Sequence, residues 1–179
     1  MKEIEAKILQ VNGKKIEEAL VSLGARKVFD GEIQTFFFDF KDNSIIKAKN
    51  VLRLRREEIK TELTYKKVSV TQGVKVAEEY SVEVSDFDTA KKILESLGLE
   101  ATESMQKHRV SYLLNNTRFD IDHYLDRYSF IPDFLEIEAE SEVTIHRYAG
   151  LLGFKPEDCL PWSTNELIKY YSSAKENRN

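Results

Sequence analysis

Cysteine is nearly absent from this chain. Cys159 is the only one in 179 residues, which excludes an internal disulfide framework, and its loop-like Glu157-Asp158-Cys159-Leu160-Pro161 setting holds no base to activate a thiolate. Proline and glycine are scarce too, three and seven in number. No linker rich in them divides the chain, so a single domain over residues 1–179 is expected, with a solvated tail from about residue 176. The three histidines, His108, His123 and His146, lack zinc-like spacing and are assigned to surface or packing roles. Long apolar runs are missing, since the apolar-rich stretch Phe36-Phe37-Phe38 is strand-sized, and a membrane span is not expected. The first residues are too charged for a signal peptide, which points to the cytoplasm. An excess of positive charge is missing as well. The formal net charge of -4 argues against a protein that coats DNA or RNA. Neither common phosphate-cradling glycine loop occurs, so a phosphate ligand would have to be held by side chains on strands.

What is present is alternation with a period of two, broken by shorter stretches of helical spacing. Residues 2–11, 26–40, 51–58, 61–68, 76–84, 102–114, 118–125 and 134–140 read as strands. Ile16, Ala19, Leu20 and Leu23 fall at helical spacing before Gly24, and Ala90, Ile93, Leu94 and Leu97 do so before Gly98. A third helix is expected over 143–152 before Gly153, and a fourth over 165–174. The fold class is therefore α+β. A weak repeat runs through it: an acidic strand leads into a helix that ends in Leu-Gly, at Leu23-Gly24, Leu97-Gly98 and Leu152-Gly153.

Side chains alternate across a strand, so each strand can be sorted by face. Glu3, Glu5 and Lys7 share one face against Ile4, Ala6 and Ile8. Arg53 and Arg55 oppose Leu52 and Leu54, Lys107 shares a face with Arg109, Arg118, Asp120 and Asp122 oppose Phe119 and Ile121, and Glu136 and Glu138 oppose Leu135 and Ile137. The apolar faces can be covered by helices, which turns the charged faces either to open water or to the lumen of a closed barrel. Any one such face is more often simply the wet side of a sheet. The segregation of sign argues otherwise, because solvated faces intersperse their charges, whereas here the first and last strands are acidic and Arg53, Arg55, Lys66, Lys107 and Arg109 are basic. Two carboxylates ~4 Å apart repel by roughly 4 kcal/mol at an effective dielectric of about 20. A hard cation, Mg²⁺ or Mn²⁺, relieves that repulsion, and arginine and lysine suit phosphate oxygens.

These residues, in this order, resemble the CYTH family, the triphosphate tunnel metalloenzymes that include class IV adenylyl cyclases and thiamine triphosphatases. The resemblance rests on Glu3-x-Glu5-x-Lys7, then Gln34-Thr35 before an aromatic strand, Leu52-Arg53-Leu54-Arg55, Leu63-Thr64-Tyr65-Lys66, Lys107 with Arg109, Asp122, and Phe134-Leu135-Glu136-Ile137-Glu138. It implies an eight-stranded antiparallel β-barrel, a tunnel with helices packed outside, and a small-molecule triphosphate as partner. Carboxylates of Glu3, Glu5, Asp122, Glu136 and Glu138, with Glu79, are expected to hold Mg²⁺ or Mn²⁺. Lys7, Arg53, Arg55, Lys66, Lys107 and Arg109 are expected to bind the phosphates, and Lys7, Glu5 and Glu138 to act in catalysis. One departure stands out, since many relatives carry an acid where this chain has Ser81.

Three functions follow in order of simplicity. A triphosphate hydrolase needs only water and the bound chain. An adenylyl cyclase needs in addition a base pocket, which these motifs do not identify. A non-catalytic polyphosphate binder leaves the acidic set without a purpose. A homodimer is compatible with all three.

Overall fold

The computed structural model describes residues 4–58, 60–71 and 74–176, without the side chains of 68–77 and 174–176. Eight strands carry the chain: β1 Ile4–Ile8, β2 Arg26–Phe40, β3 Val51–Glu57, β4 Lys60–Thr71, β5 Val74–Val84, β6 Leu99–Leu114, β7 Thr117–Tyr124 and β8 Phe134–Ala139. The helices are α1 Gly13–Ser22, α2 Ser44–Lys47, α3 Phe87–Ser96, α4 Glu142–Leu151 and α5 Thr164–Glu176, with 3₁₀ turns at Asp126–Tyr128 and Pro156–Asp158. None of the described helices is long and apolar enough to cross a membrane. The eight-stranded sheet has the order β1-β8-β7-β6-β2-β3-β4-β5. Its resolved ladders are antiparallel. Among the described residues this hydrogen-bonded order has two ends, β1 and β5, so closure is no part of it.

The expected repeat is real, and local chemistry explains it. Each acidic strand, β1, β5 and β8, runs into a helix whose N-cap side chain accepts a backbone N–H three residues on: Asn12 from Lys15, Asp86 from Thr89 and Ser141 from Thr144. Each of these helices ends before a glycine in the left-handed region, with φ of 85° at Gly24, 89° at Gly98 and 88° at Gly153. Only glycine takes that conformation without steric cost, so the helices stop there.

The chain divides into two units. Unit 1 comprises residues 1–31 and 107–179. In it the apolar faces of β1, β7 and β8 meet α1 and α4, and Ala6, Ile8, Leu20, Phe119, Leu135, Ile137, Ile145 and Ala149 form a continuous core. Each fully buried Leu or Ile there contributes roughly 1.5–3 kcal/mol relative to exposure. Phe119 meets Tyr148 of α4 edge-on at 5.3 Å. Unit 2 comprises residues 32–106 and has its own core of Phe38, Leu54, Phe87, Ala90, Leu94 and Leu99, with α3 against β3.

The short helix α2 escapes sequence reading because four residues carry no periodicity. Its signal is Asp39, a buried carboxylate that accepts the backbone N–H groups of Phe40, Ile45 and Ile46 at 2.8, 2.9 and 2.9 Å. Those three hydrogen bonds outweigh burial and hold Asp39 below the usual carboxylate range.

Candidate active site

The charged faces in unit 1 are not the wet side of a sheet. Lys7 is 2% exposed and Asp122 0%, with Arg109 and Asp120 buried beside them. Buried charges are tolerated only when paired and hydrogen-bonded, and the strand register supplies the pairs. Lys7 lies opposite Glu136 and Glu5 opposite Glu138 on β1 and β8, while Arg109 lies opposite Asp122 on β6 and β7.

The resulting contacts are tight. Lys7 Nζ lies 2.9 Å from Glu136 Oε2 and 3.2 Å from Glu5 Oε1. Arg109 donates from Nε to Asp122 Oδ1 and from Nη2 to Asp122 Oδ2, both at 2.6 Å, and from Nη1 to Asp120 Oδ2 at 2.5 Å. Lys107 Nζ donates to Asp122 Oδ2 at 2.7 Å. Arg118 closes the row, with Nε donating to Asp120 Oδ1 at 3.0 Å and Nη2 to the Ser111 hydroxyl at 3.1 Å.

These contacts fix protonation. Burial works to neutralise Asp122, but Lys107 and Arg109 overcome it and hold its carboxyl far below the usual range. Burial likewise opposes the charge of Glu136, and Lys7, Arg109 and Lys107 keep its pKa low. Lys7 is raised despite its burial by Glu136 and Glu5. Lys107 goes the other way, because burial and the adjacent Arg109 charge outweigh Asp122 and lower its pKa.

Unit 2 is built from the same alternation but left loose. Arg53, Thr64 and Ser81 lie in register across β3, β4 and β5, as do Arg55, Glu62 and Glu83, while Lys66 lies opposite Glu79. Arg53 Nη2 lies 3.6 Å from Glu79 Oε1 and 3.8 Å from Glu62 Oε1. Arg55 Nη2 is 3.5 Å from Glu62, and its Nε is 3.3 Å from Glu57. Lys66 Nζ lies 3.6 Å from Glu79. Among the described residues, the Nε groups of both arginines are buried with no hydrogen-bond partner. Burial, then the neighbouring Arg55 charge, lowers the pKa of Arg53 from its ordinary value. Both guanidiniums are thus partly buried, at 29% and 25% side-chain exposure, with Nε donors that lack a hydrogen bond among the described residues, a state that an anion with several oxygens would relieve.

The expected site residues therefore fall into two sets. Unit 1 brings together Lys7, Glu5, Glu136, Lys107, Arg109 and Asp122, with Glu138 opposite Glu5, and unit 2 brings together Arg53, Arg55, Lys66 and Glu79. Glu3 lies outside the described residues. Asp120 and Arg118 were legible as members of a charged face, but the bond of Asp120 with Arg109 and those of Arg118 with Asp120 and Ser111 were not. Glu62 went unassigned, and its signal was the same alternation, two and four residues before Thr64 and Lys66.

The histidines keep their surface roles. His108 and His123 are register partners, and each faces an aspartate, Asp30 at 3.2 Å and Asp133 at 2.7 Å. Trp162 packs against Tyr170 at 5.1 Å between ring centroids.

No group of three or more His, Cys, Asp or Glu is arranged to hold a metal among the described residues. A pair is nevertheless suited to one. Glu5 and Glu138 are direct register partners, and like charges so placed destabilise a sheet. Mg²⁺ is commonly held by one or two carboxylates together with substrate phosphates and water. The donor chemistry of this pair fits that mode, whereas Asp122 has both oxygens engaged by Arg109 and Lys107.

Comparison with known proteins bears on this arrangement. The family model for the CYTH domain matches residues 1–146. A protein of Methanocaldococcus jannaschii, named provisionally as an adenylate cyclase, is 26% identical over 138 residues, 77% of each chain. The solved structure of the PH1012 protein from Pyrococcus horikoshii OT3 is similar with a TM-score of 0.73 at 28% identity, covering 93% of this chain and 99% of that one. A Hippeastrum protein, described as a provisional adenylyl cyclase with a dominant triphosphatase activity, shares the fold with a TM-score of 0.64 at 14% identity, over 86% of this chain and 89% of that one.

Proposed function

Because the chain belongs to the CYTH family, we propose that it is a metal-dependent enzyme that hydrolyses a triphosphate, whether inorganic triphosphate, a nucleoside triphosphate or thiamine triphosphate, in a sheet closed into a tunnel. The observation that carries the reading is the buried Nε of Arg53, which has no hydrogen-bond partner among the described residues, beside Arg55, whose buried Nε has only a 3.3 Å ion-pair contact with Glu57. Such donors cost stability in the protein alone and are matched by phosphate oxygens.

The residues divide the work. Glu5 and Glu138, with Glu3 and Glu136 as further carboxylates, would hold Mg²⁺ or Mn²⁺, which when bound polarises a phosphoryl oxygen. Lys7, fixed between Glu5 and Glu136, presents a cation either to a phosphate or to the nucleophile. Arg53, Arg55 and Lys66 neutralise the phosphate chain. Lys107 and Arg109 add positive charge that Asp122 and Asp120 hold in place. A carboxylate of the Glu5 and Glu138 pair orients water for attack on the terminal phosphorus, the terminal P–O bond breaks, and the departing charge stays against the arginines. Catalysis is then positioning and electrostatics. Assigning the basic residues of both units to one substrate rests on their membership in one CYTH domain. Action in the cytoplasm accords with the single cysteine.

A second reading, adenylyl cyclase, is favoured by the name of the Methanocaldococcus relative. There the ribose 3′-hydroxyl attacks the α-phosphorus and pyrophosphate leaves. Hydrolysis leads because it needs only water and the bound phosphate chain, whereas cyclisation also needs a base pocket, and because the Hippeastrum protein joins a cyclase name to a dominant triphosphatase activity. The test is incubation of the purified protein with Mg²⁺ or Mn²⁺ and, separately, inorganic triphosphate, ATP and thiamine triphosphate. Orthophosphate release supports the hydrolase, cyclic AMP with pyrophosphate the cyclase, and binding without turnover would remove the enzymatic reading.

A further inference from the structure

Glu62 has no part in the roles assigned above, yet it sits at the centre of the basic face of unit 2. One of its oxygens, Oε1, is approached by Arg55 Nη2 at 3.5 Å, Arg53 Nη2 at 3.8 Å and the Thr64 hydroxyl at 3.1 Å. Neither arginine contact has the 2.7–2.9 Å length usual for a charge-assisted hydrogen bond, in contrast to the 2.6 Å contacts of Arg109 with Asp122. Thr64 is buried, at 2% exposure, and has a single hydroxyl proton. Since it donates that proton to Glu62, its 3.0 Å contact with Ser81 Oγ must be donated by Ser81. One carboxylate oxygen therefore collects two guanidiniums and a chain of two hydroxyls, a donor set equally suited to a phosphate oxygen. It does so incompletely, because among the described residues the buried Nε of Arg53 has no hydrogen-bond partner and that of Arg55 has only a 3.3 Å ion-pair contact with Glu57.

We propose that Glu62 is the internal counter-anion of a phosphate subsite formed by Arg53, Arg55, Thr64 and Ser81, and that a substrate phosphate takes its place. The inference rests on the triphosphate reading and extends it to selectivity. A carboxylate carries one charge and two oxygens, whereas a polyphosphate brings more of both and can satisfy Nη and Nε donors together. Displacing Glu62 is therefore favourable for a multiply charged chain and much less so for a small, weakly charged anion. On binding, the Thr64 proton turns from Glu62 to a phosphate oxygen, and Ser81 becomes free to donate as well. Ser81 thus supplies a second hydroxyl to the phosphate.

The experiment is calorimetric titration of inorganic tripolyphosphate, with orthophosphate as comparator, into the wild type, Glu62→Gln and Ser81→Ala, in EDTA and again in Mg²⁺. Removing one negative charge about 4 Å from the incoming phosphate should tighten tripolyphosphate binding by Glu62→Gln in EDTA at least about fivefold, the limit for a fully solvated pair. Orthophosphate should gain proportionally more, which narrows the discrimination between the two anions. Ser81→Ala should weaken tripolyphosphate binding about fivefold in both buffers. Thermal melting in the same buffers checks folding. Should Glu62→Gln not fold, Glu62→Asp, whose shorter side chain loosens the hold on both arginines, must show the tightening instead. Unchanged or weaker binding in EDTA by a folded Glu62 variant overturns the proposal. A loss confined to Mg²⁺ makes Glu62 a metal ligand and overturns it too. If the wild type itself binds no tripolyphosphate in either buffer, the triphosphate reading fails and this subsite fails with it.

Discussion

Arg109 grips Asp122 through two parallel hydrogen bonds of 2.6 Å, on a carboxylate with no exposure to solvent. The register of β6 and β7 sets them face to face, and the planar fork of the guanidinium matches the two oxygens. This pair, together with Lys107, makes the charged interior of unit 1 a rigid support. The pairs around Arg53 and Arg55 in unit 2 are looser, at 3.5–3.8 Å from Glu62 and Glu79.

Asp122→Asn should cost about 3–5 kcal/mol of stability, because it leaves Arg109 and Lys107 buried without their counter-charge. Urea unfolding of wild type and variant measures this directly. A loss below about 1 kcal/mol, the range of an exposed ion pair, would mean that the interior is wetter than the geometry describes.

The pH dependence of stability has a definite sign. Asp122 and Glu136 have folded pKa values below their ordinary ones, so their contribution is fully present above the unfolded carboxylate range, about pH 4. It is lost as the pH falls from there through the lower folded values. Lys7, raised by its carboxylate partners, contributes below the ordinary lysine value and loses that contribution only at strongly alkaline pH. Unfolding measured at steps from pH 7 to pH 2 should show a shallower acid decline for Asp122→Asn than for wild type. Parallel declines would count against the depressed carboxyl.

Glu5→Gln and Glu138→Gln keep shape and remove charge from the register pair on β1 and β8. Each should shift the Mg²⁺ concentration for half-maximal triphosphatase activity upward by at least about tenfold while leaving the melting temperature within a few degrees, since carboxylates are the ligands this cation prefers. Near wild-type turnover by both variants at limiting Mg²⁺ would remove the metal assignment.

Arg53→Lys and Arg55→Lys retain charge and lose the fork. Hydrogen bonds to charged groups contribute roughly 1.5–3 kcal/mol, so kcat/KM should fall at least about tenfold. The exposed Arg26, outside the charged face, serves as control through Arg26→Lys. Equal activity of all three variants on every triphosphate would reduce Arg53 and Arg55 to surface charges.

Much of the fold was legible because its signals are local. Period-two alternation, with the aromatic run Phe36-Phe37-Phe38, located the strands, and β2 falls at 26–40 as expected. The helix ends at Gly24, Gly98 and Gly153 were legible because a positive φ is a property of single residues. The limits of the reading were equally physical. Helix α2 depends on Asp39 reaching residues six and seven positions away, which no periodicity encodes. The first strand extends to residue 11 by alternation, yet it ends at Ile8, because Gln10 turns to a positive φ of 55° even though Val11 still donates to the Asp133 carbonyl.

Alternation along the chain determined which charges share a face, and the order of those charges carried the family. What alternation cannot say is which charges neutralise one another, because that depends on the register between strands distant in sequence. Register joined Arg109 to Asp122 and Lys7 to Glu136, giving Asp122 two cationic partners, Arg109 and Lys107. Register also set Glu62 beside Arg55 while Thr64 faced Arg53. Packing then decided how much water each pair retains, and so which ion pairs are tight and which arginine donors are left without a hydrogen-bond partner among the described residues. A charge pattern is written in sequence, but its energy is fixed only when tertiary structure sets distance and solvent exposure.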